Sequence, residues 1–384
     1  MERISRFTID GSDDLEQRLA ALCEMAASGI RARIPKTKIE GLLLGGGYGR
    51  GEGGVLRTAE GDRPYNDLEF YALLRGDCRV NEKFHGAALH KLASELSAAA
   101  GLDVEFKILS RHKLQSSPCT MFYHDLVQGH KRLVGPEALL DGSERHRQGG
   151  NIPLSEATRL LMNRCSGLLF AWARLAAPQF SAESSDFVAR NQAKAQLAFG
   201  DVALTVNGQY HFSCRERNAR LRRLQVDIPG APLEDLVAHH RAGVEFKLHP
   251  IRSNETRAAL LRRQTEISDF AASMWLWLEG RRLGRTFADA WDYARSPVNK
   301  CAETHPLRNL LINAAIFRGS GVSGSKLFRY PRERLLEALS LLLWDPHTAR
   351  DPARLRAVQQ RVRSRATAFP DLVSAYASVW RRFN

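Results

Sequence analysis

Seven of the ten residues from Gly45 to Gly54 are glycine, and this run constrains the fold more than any other feature of the 384-residue chain. The segment before it, residues 39–44, is mainly apolar and is typical of a buried strand. A strand that ends in several glycines predicts a tight turn. If the turn opens a helix, backbone N–H groups point outward at its positive end, which is an arrangement that binds phosphate.

Two carboxylates follow the glycine run. Asp67 and Glu69 are separated by one residue, at the start of a segment that predicts a second strand, residues 68–74. Alternate residues of a strand project from one face, so oxygens of both side chains can reach one divalent ion. Mg²⁺ is usually held by one or two carboxylates together with substrate phosphates. The pattern therefore favours metal-assisted phosphoryl or nucleotidyl transfer.

A third carboxylate is available on a later strand, residues 102–108, which alternates apolar and polar side chains. Asp103 and Glu105 lie on the same face of that strand. Either can act as a general base or complete a metal site. The central position of Glu105 in the strand favours it, but the sequence leaves the choice open.

The same residues resemble the polymerase-beta-like nucleotidyltransferase superfamily, in its minimal and antibiotic-type bacterial branches. The signature of that superfamily is an apolar strand, a glycine turn, often Tyr-x-Arg-Gly-Glu, then a strand with two alternating acids and a further acidic strand. The matching residues are Leu44, Gly46, Gly47, Tyr48, Arg50, Gly51, Glu52, Asp67, Glu69 and then Glu105 or Asp103. The resemblance covers about residues 35–140.

The resemblance implies an enzyme that transfers a nucleoside monophosphate from a nucleoside triphosphate such as ATP to a hydroxyl group and releases pyrophosphate. Its nucleotide-binding residues would be Gly46, Gly47, Tyr48 and Arg50. Its catalytic acids would be Asp67, Glu69 and Glu105, with Asp103 as the alternative third acid. Asp67, Glu69 and Glu105 would hold Mg²⁺, or Mn²⁺ in its place.

Two departures from the pattern concern the turn. Members of the superfamily often have serine where this chain has Gly47. The interval from Gly47 to Asp67 is also longer than in the small members, and Val55–Tyr65 is interpreted as an inserted loop that shapes the pocket.

The rest of the chain predicts the fold class and its division. A helix over residues 12–34 precedes the first strand, another covers 81–99, and residues 120–134 predict a further strand or short helix. Beyond a polar linker at 141–152, helical patterns dominate. We therefore expect an α+β protein, with a small mixed-sheet nucleotidyltransferase domain at 1–145 and a larger all-α domain at 146–384.

The charge distribution separates the two parts. Residues 1–140 carry 19 basic and 19 acidic side chains, whereas residues 141–384 carry 37 basic and 23 acidic ones. A basic helical domain fits an acceptor that is phosphorylated or is RNA, although charged helix surfaces also serve solubility alone. Within it, Arg190, Lys194 and Asp201 recur at roughly helical spacing, and Arg190 and Lys194 are the predicted acceptor-binding residues.

The cysteine pattern bears on location. Six scattered cysteines without a CxxC pair, and an N-terminus without an apolar signal segment, predict a cytoplasmic protein with no membrane partner. The acceptor, the preferred base and the oligomeric state are not encoded in any recognisable pattern.

Two alternative functions stay open. One keeps the fold as a non-catalytic nucleotide-binding regulatory module, and the other is an RNA-modifying, toxin-like protein. A ribonuclease version would need an arginine followed four to six residues later by a histidine in the helical part, and Arg79 and His85 provide that spacing only in the first part. Gly319–Lys326 approaches a phosphate-loop sequence and is interpreted as a loop between helices.

Overall fold

The computed structural model describes residues 6–317, 327–345, 347–348 and 350–383. It confirms the α+β class, because a small mixed sheet near the N-terminus is followed by an all-helical region. By compactness the chain divides into two units. The first runs to Glu156 and also takes in Asn207–Leu224 and Arg241–Ile251, while the second contains the remainder. The boundary expected at residue 145 stays a prediction.

The elements up to the end of the sheet alternate between helix and strand. In chain order they are α1 (Asp13–Arg33), β1 (Ile39–Leu44), α2 (Gly46–Gly49), β2 (Val55–Thr58), β3 (Gly61–Pro64), β4 (Leu68–Leu74), α3 (Cys78–Ala100), β5 (Val104–Leu109), α4 (Arg111–Ser116), α5 (Met121–Gln128) and β6 (Lys131–Val134). Three short 3₁₀ turns follow, at Glu137–Leu140, Glu144–His146 and Gly149–Asn151.

The elements after these turns are helices. They are α6 (Leu154–Ala176), α7 (Ala182–Val206), α8 (Cys214–Leu221), α9 (Leu233–Leu248), α10 (Arg257–Leu283), α11 (Ala290–Arg295), α12 (Pro306–Phe317), α13 (Arg332–Trp344), α14 (Pro352–Val362) and α15 (Phe369–Trp380). Of the helices described, none is long and apolar enough to cross a membrane.

The sheet of the first unit has the strand order β5-β4-β1-β6. β4 pairs in parallel with β5 and antiparallel with β1, which places the two strands with carboxylates side by side. Helices α1 and α3 cover one face, where Phe70 and Leu42 are buried. Residues of α4 and α5 pack against the other face around Leu43, Tyr71 and Leu73. Since Glu69 and Tyr71 alternate with Phe70, the Glu69 carboxylate lies on the α5 side of the sheet.

Local differences from the predicted elements have identifiable causes. Residues 39–44 and 68–74 form the expected strands, whereas the last parallel strand is Val104–Leu109 rather than 102–108. Val55–Tyr65 is not an irregular loop, since β2 and β3 pair as a hairpin closed at Gly61, whose φ is +111°. Residues 120–134 contain a helix and a strand, not one of the two. The segment Gly319–Lys326 lies outside the described residues.

The second unit has its own core. Trp275 of α10 is fully buried, with its ring centroid 5.8 Å from that of Tyr293 and 5.3 Å from that of Trp344. Buried charges in this core are paired: Lys300 Nζ lies 2.8 Å from Glu337, and Arg282 lies 2.6 Å from Glu279. These pairs conform to the rule that a buried charge needs a partner.

Candidate metal and nucleotide site

The glycine turn connects β1 directly to the edge of the carboxylate group. The amide of Gly45 donates a hydrogen bond of 2.9 Å to the carbonyl of Glu69 on the neighbouring strand. Gly46 has a φ of +61°, and a Cβ atom there would lie 2.8 Å from Glu69 Oε2. The left-handed backbone therefore favours glycine at position 46, and a side chain there would also require the Glu69 carboxylate to move.

Gly47 explains one departure from the superfamily pattern. A Cβ atom at this position would lie 3.1 Å from the Glu52 carbonyl oxygen, which is a tight contact with backbone. The amide of Glu52 also donates a hydrogen bond of 2.9 Å to the Gly47 carbonyl. The turn folds back on itself here, so a serine would require the backbone of residue 52 to shift.

The side chain of Tyr48 supports the turn from inside. It is fully buried, and its hydroxyl donates to the Gly54 carbonyl at 2.9 Å and accepts from the Tyr65 amide at 2.9 Å. Burial raises the pKa of this phenol to about 12. The side chain therefore holds the base of the β2–β3 hairpin together. Because it is buried, only the backbone of Tyr48 could contact a nucleotide.

Three of the four predicted acids come together. Asp67, Glu69 and Glu105 each offer one carboxylate oxygen, and these oxygens all lie within 4.8 Å of one another. The parallel pairing of β4 with β5 produces this group, because Glu69 is opposite Glu105 in the register. Asp103 is exposed and, among the described residues, has no place in the group. The geometry thus favours Glu105 over Asp103 as the third acid.

Lys107 was not anticipated as a site residue. Its Nζ lies 3.0 Å from Glu105 and 3.3 Å from Glu69, so an ammonium ion bridges two of the three acids. Partial burial opposes its charge, but Glu69 and Glu105 outweigh this and raise the pKa of Lys107. The signal was available in the sequence, since residues 105 and 107 of a strand share one face.

Burial and neighbouring negative charge affect the pKa of Asp67, the remaining acid. Partial burial and then the neighbouring Glu69 carboxylate raise the pKa of Asp67 above its ordinary value. A group of three carboxylates with one bridging lysine retains net negative charge near neutral pH. It is an environment in which a divalent cation would relieve repulsion.

Glu52 anchors the far end of the turn within the first unit. Its buried carboxylate accepts a hydrogen bond of 2.6 Å from Ser213 Oγ and one of 2.9 Å from the Cys214 amide, at the first turn of α8. Burial alone would raise its pKa, but the Lys247 charge and the Ser213 hydrogen bond lower the pKa from 4.5 to about 2. The carboxylate therefore stabilises the start of α8, as a negative group does at a helix N-terminus.

Arg50 is held by an ion pair. One of its terminal nitrogens lies 3.1 Å from the carboxylate of Asp125 on α5, and both side chains are largely buried. The motif leads us to expect that Arg50 neutralises a phosphate group. In that case Asp125 and the phosphate would both interact with the Arg50 charge. That role stays a prediction.

The predicted acceptor residues belong to the second unit. Arg190 lies 3.0 Å from Asp186, one helical turn away, and Lys194 is exposed. Asp201 does not continue an exposed polar face, because it is buried and lies 3.1 Å from His240. Acceptor binding by Arg190 and Lys194 stays a prediction.

Comparison of the chain with protein-family models, with curated proteins and with solved structures found no match.

Proposed function

We propose that the chain is a metal-dependent nucleotidyltransferase, which transfers a nucleoside monophosphate from a nucleoside triphosphate to a hydroxyl-bearing acceptor. One observation carries this proposal: the carboxylates of Asp67, Glu69 and Glu105 converge within 4.8 Å beside the glycine turn. Asp67 and Glu69 are neighbours at the start of β4, but Glu105 comes from β5, so its meeting with them is a product of the fold.

The donor set fits a hard divalent cation. Mg²⁺ binds oxygen ligands at about 2.1 Å, so two oxygens on opposite sides of one ion are about 4.2 Å apart. The observed limit of 4.8 Å requires only small side-chain rotations to meet that value. Three carboxylates are also the donor type that Mg²⁺ or Mn²⁺ prefers, because both ions favour oxygen over sulfur.

The glycine turn supplies the complementary part. The amides of Gly46 and Gly47 begin a short helix, and no hydrogen bond among the described residues uses them as donors. Outward-pointing amides suit phosphate oxygens. The close approach of Gly46 to Glu69 puts such amides beside the carboxylates, where the phosphates of a metal–nucleotide complex would need them.

The reaction conserves charge and atoms in one displacement. The acceptor hydroxyl oxygen attacks the α-phosphorus, the bond from that phosphorus to the oxygen bridging to the β-phosphate breaks, and pyrophosphate leaves. A bound divalent ion would stabilise the charge that develops on the phosphate oxygens. Asp67 and Glu69 would hold it, while Glu105, whose side chain is about half exposed, would complete the ligand set or accept the hydroxyl proton.

Thermal stability tests the proposal directly. Melting would be followed with each of the four ribonucleoside triphosphates, with and without Mg²⁺, for the wild type, Asp67→Asn and Asp103→Asn. The two variants make the same change in neighbouring acids, but only Asp67 belongs to the converging group. A ligand at a hundredfold excess over its dissociation constant stabilises the folded state by about 2.7 kcal/mol.

We expect Mg²⁺ to raise the melting temperature beyond the value measured with triphosphate in a chelator, and we expect Asp67→Asn to abolish this added rise and Asp103→Asn to retain it. The triphosphate that gives the added rise would then be the donor in a screen for acceptors, with pyrophosphate release as the readout. An added rise that both variants retain, or no added rise with any triphosphate, would contradict the proposal.

The position of Lys107 favours a second candidate, a nucleotide-binding regulatory module without catalysis. In that case the ammonium ion between Glu69 and Glu105 would take the place of the metal. Nucleotide would then raise the melting temperature equally with Mg²⁺ and with a chelator, and no pyrophosphate would be released.

A further inference from the structure

A second concave site lies at the opposite end of the same two strands. It is a cavity of about 840 Å³ formed by the loop from β4 to α3, by α4 and by the start of β1. Pockets that bind small molecules commonly have volumes of about 300–1,000 Å³. Parallel strands joined by a helix characteristically bind ligands just beyond their carboxyl ends, which is where this cavity is found.

The walls of the cavity are strongly basic. Four cationic side chains contribute to it, against two acidic ones. The cations are Arg75, Arg79, Arg111 and Lys113, and the acids are Glu40 and Asp77. Asp77 is already engaged, because it accepts hydrogen bonds from the Arg79 and Val80 amides as the cap of α3. The charge available to a ligand is therefore positive.

These four cations are unpaired. Within the described part of the chain, no ion pair or side-chain hydrogen bond involves the charged groups of Arg75, Arg79, Arg111 or Lys113. The Nε of Arg111 is buried and has no hydrogen-bond acceptor. Arg75, Arg79 and Lys113 are exposed, so water solvates their charges in the free protein. Because all four cations line one concave surface, an anion seated in it could contact several of them at once.

The cavity is separate from the carboxylate group. Asp67 precedes β4, whereas Arg75 follows it, and a strand of this length spans roughly 20 Å. The two sites therefore lie apart, and no residue is shared between them.

We propose that this cavity binds a small polyanion carrying two or three linked phosphate groups, as a site distinct from the carboxylate group. Arginine forks and a lysine ammonium are the side chains that bind phosphate oxygens best. The cavity volume suits a nucleoside di- or triphosphate or an inorganic polyphosphate. The proposal does not depend on nucleotidyl transfer at the other end of the strands.

Calorimetric titration in the presence of a chelator tests this inference. The probes would be ATP and inorganic tripolyphosphate, together with a twelve-nucleotide RNA as the third arm. The test variant is Arg79→Ala combined with Lys113→Ala, both exposed residues of the cavity. The control is Lys83→Ala combined with Lys91→Ala, which removes the same charge from the exposed face of α3 outside the cavity. Unchanged melting temperatures would establish that both variants fold.

We expect wild type to bind tripolyphosphate or ATP at one site and the cavity variant to bind roughly a hundredfold more weakly, because two charge-assisted contacts are lost. Glu69→Gln should bind as wild type does under these metal-free conditions. If ATP binds and tripolyphosphate does not, the ligand is a nucleotide, and the reverse identifies a polyphosphate.

Three outcomes would overturn the inference. These are no binding of either phosphate probe to wild type, an equal loss in the cavity and control variants, or binding of the RNA alone. None of them bears on the carboxylate group, whose test requires metal.

Discussion

The two ends of the β4–β5 pair carry opposite charge, and in each case the fold leaves that charge incompletely neutralised. At the amino end, three carboxylates share a single ammonium group. At the carboxyl end, four cations surround a cavity without an ion-pair partner among the described residues. Concentrated charge of one sign costs stability unless a ligand offsets it. Local departures from what stabilises a fold are expected at functional sites. This sheet has such a concentration of charge at each end.

The largest effect should come from the amino end. Glu69→Gln removes the acid that lies between the glycine turn and the other two carboxylates. We expect it to abolish Mg²⁺-dependent stabilisation by the donor triphosphate and to lower the rate of pyrophosphate release about a thousandfold. Binding of triphosphate in chelator should not change. A variant that loses both, with its melting temperature intact, would show that the two ends act as one site.

The anchor of the glycine turn should have the next largest effect. Glu52→Gln removes the negative charge that accepts hydrogen bonds from Ser213 Oγ and the Cys214 amide and that interacts with the Lys247 charge. We expect a loss of about 3 kcal/mol in the free energy of unfolding. Exposed Glu60→Gln on the β2–β3 hairpin is the control and should change stability little. Denaturant unfolding measures both.

The pH dependence of that difference follows from the lowered pKa. Glu52 titrates at about 2 in the folded chain instead of 4.5, so it contributes stability above 4.5 that is lost as the pH falls toward 2. The gap between wild type and Glu52→Gln should therefore narrow across that interval. A gap that stayed constant would assign the loss to packing and not to charge.

Lys107 gives a smaller and opposite effect. Lys107→Met keeps an unbranched side chain one atom shorter and removes the charge that bridges Glu69 and Glu105. Titration with Mn²⁺ in the absence of nucleotide should show affinity increased by about tenfold, because the ion no longer displaces an ammonium group. Lys91→Met is the matched control. Unchanged or weaker Mn²⁺ binding would mean that Lys107 does not compete with the ion for Glu69 and Glu105.

The smallest effect concerns Asp67 without metal. Its pKa is raised in the folded chain, so ionisation costs stability as the pH rises above the ordinary value of 3.8. Asp67→Asn should therefore raise the melting temperature of the metal-free protein at pH 7 by about 1 °C. The gain should vanish near pH 3, and Asp103→Asn should show none. A drop in melting temperature at pH 7 would indicate that the carboxylate makes a stabilising contact.

The sequence predicted those features of the fold that local pattern determines. Residues 39–44 and 68–74 are short, mainly apolar runs typical of buried strands, and they form β1 and β4. The meeting of Asp67, Glu69 and Glu105 could be anticipated because acids at alternate positions share a face, but the choice of Glu105 required the β4–β5 register. The α+β class followed from the order of these patterns.

Other features depend on contacts that no local pattern encodes. The link from Glu52 to Ser213 joins residues 161 positions apart. The hairpin of β2 and β3 was interpreted as a loop because its strands have only four residues each and little apolar alternation. The basic cavity combines residues from three separate segments, and the charged residues of each segment, taken alone, are typical of an ordinary protein surface.

The hydrogen bonds of Tyr48 have a consequence for how the chain tolerates change. The Tyr65 amide donates to the Gly54 carbonyl and to the Tyr48 hydroxyl, so hydrogen bonds join the residue before β2 to the residue after β3. Doubling the length of a segment whose ends are fixed costs only about 0.6 kcal/mol in chain entropy. The tip of the hairpin at Gly61, where an added Cβ would meet nothing within 4 Å, can therefore be lengthened at little cost. The buried Val55 and the hydrogen bond from the Ser12 amide to Asp62 would hold the rest of the hairpin in place.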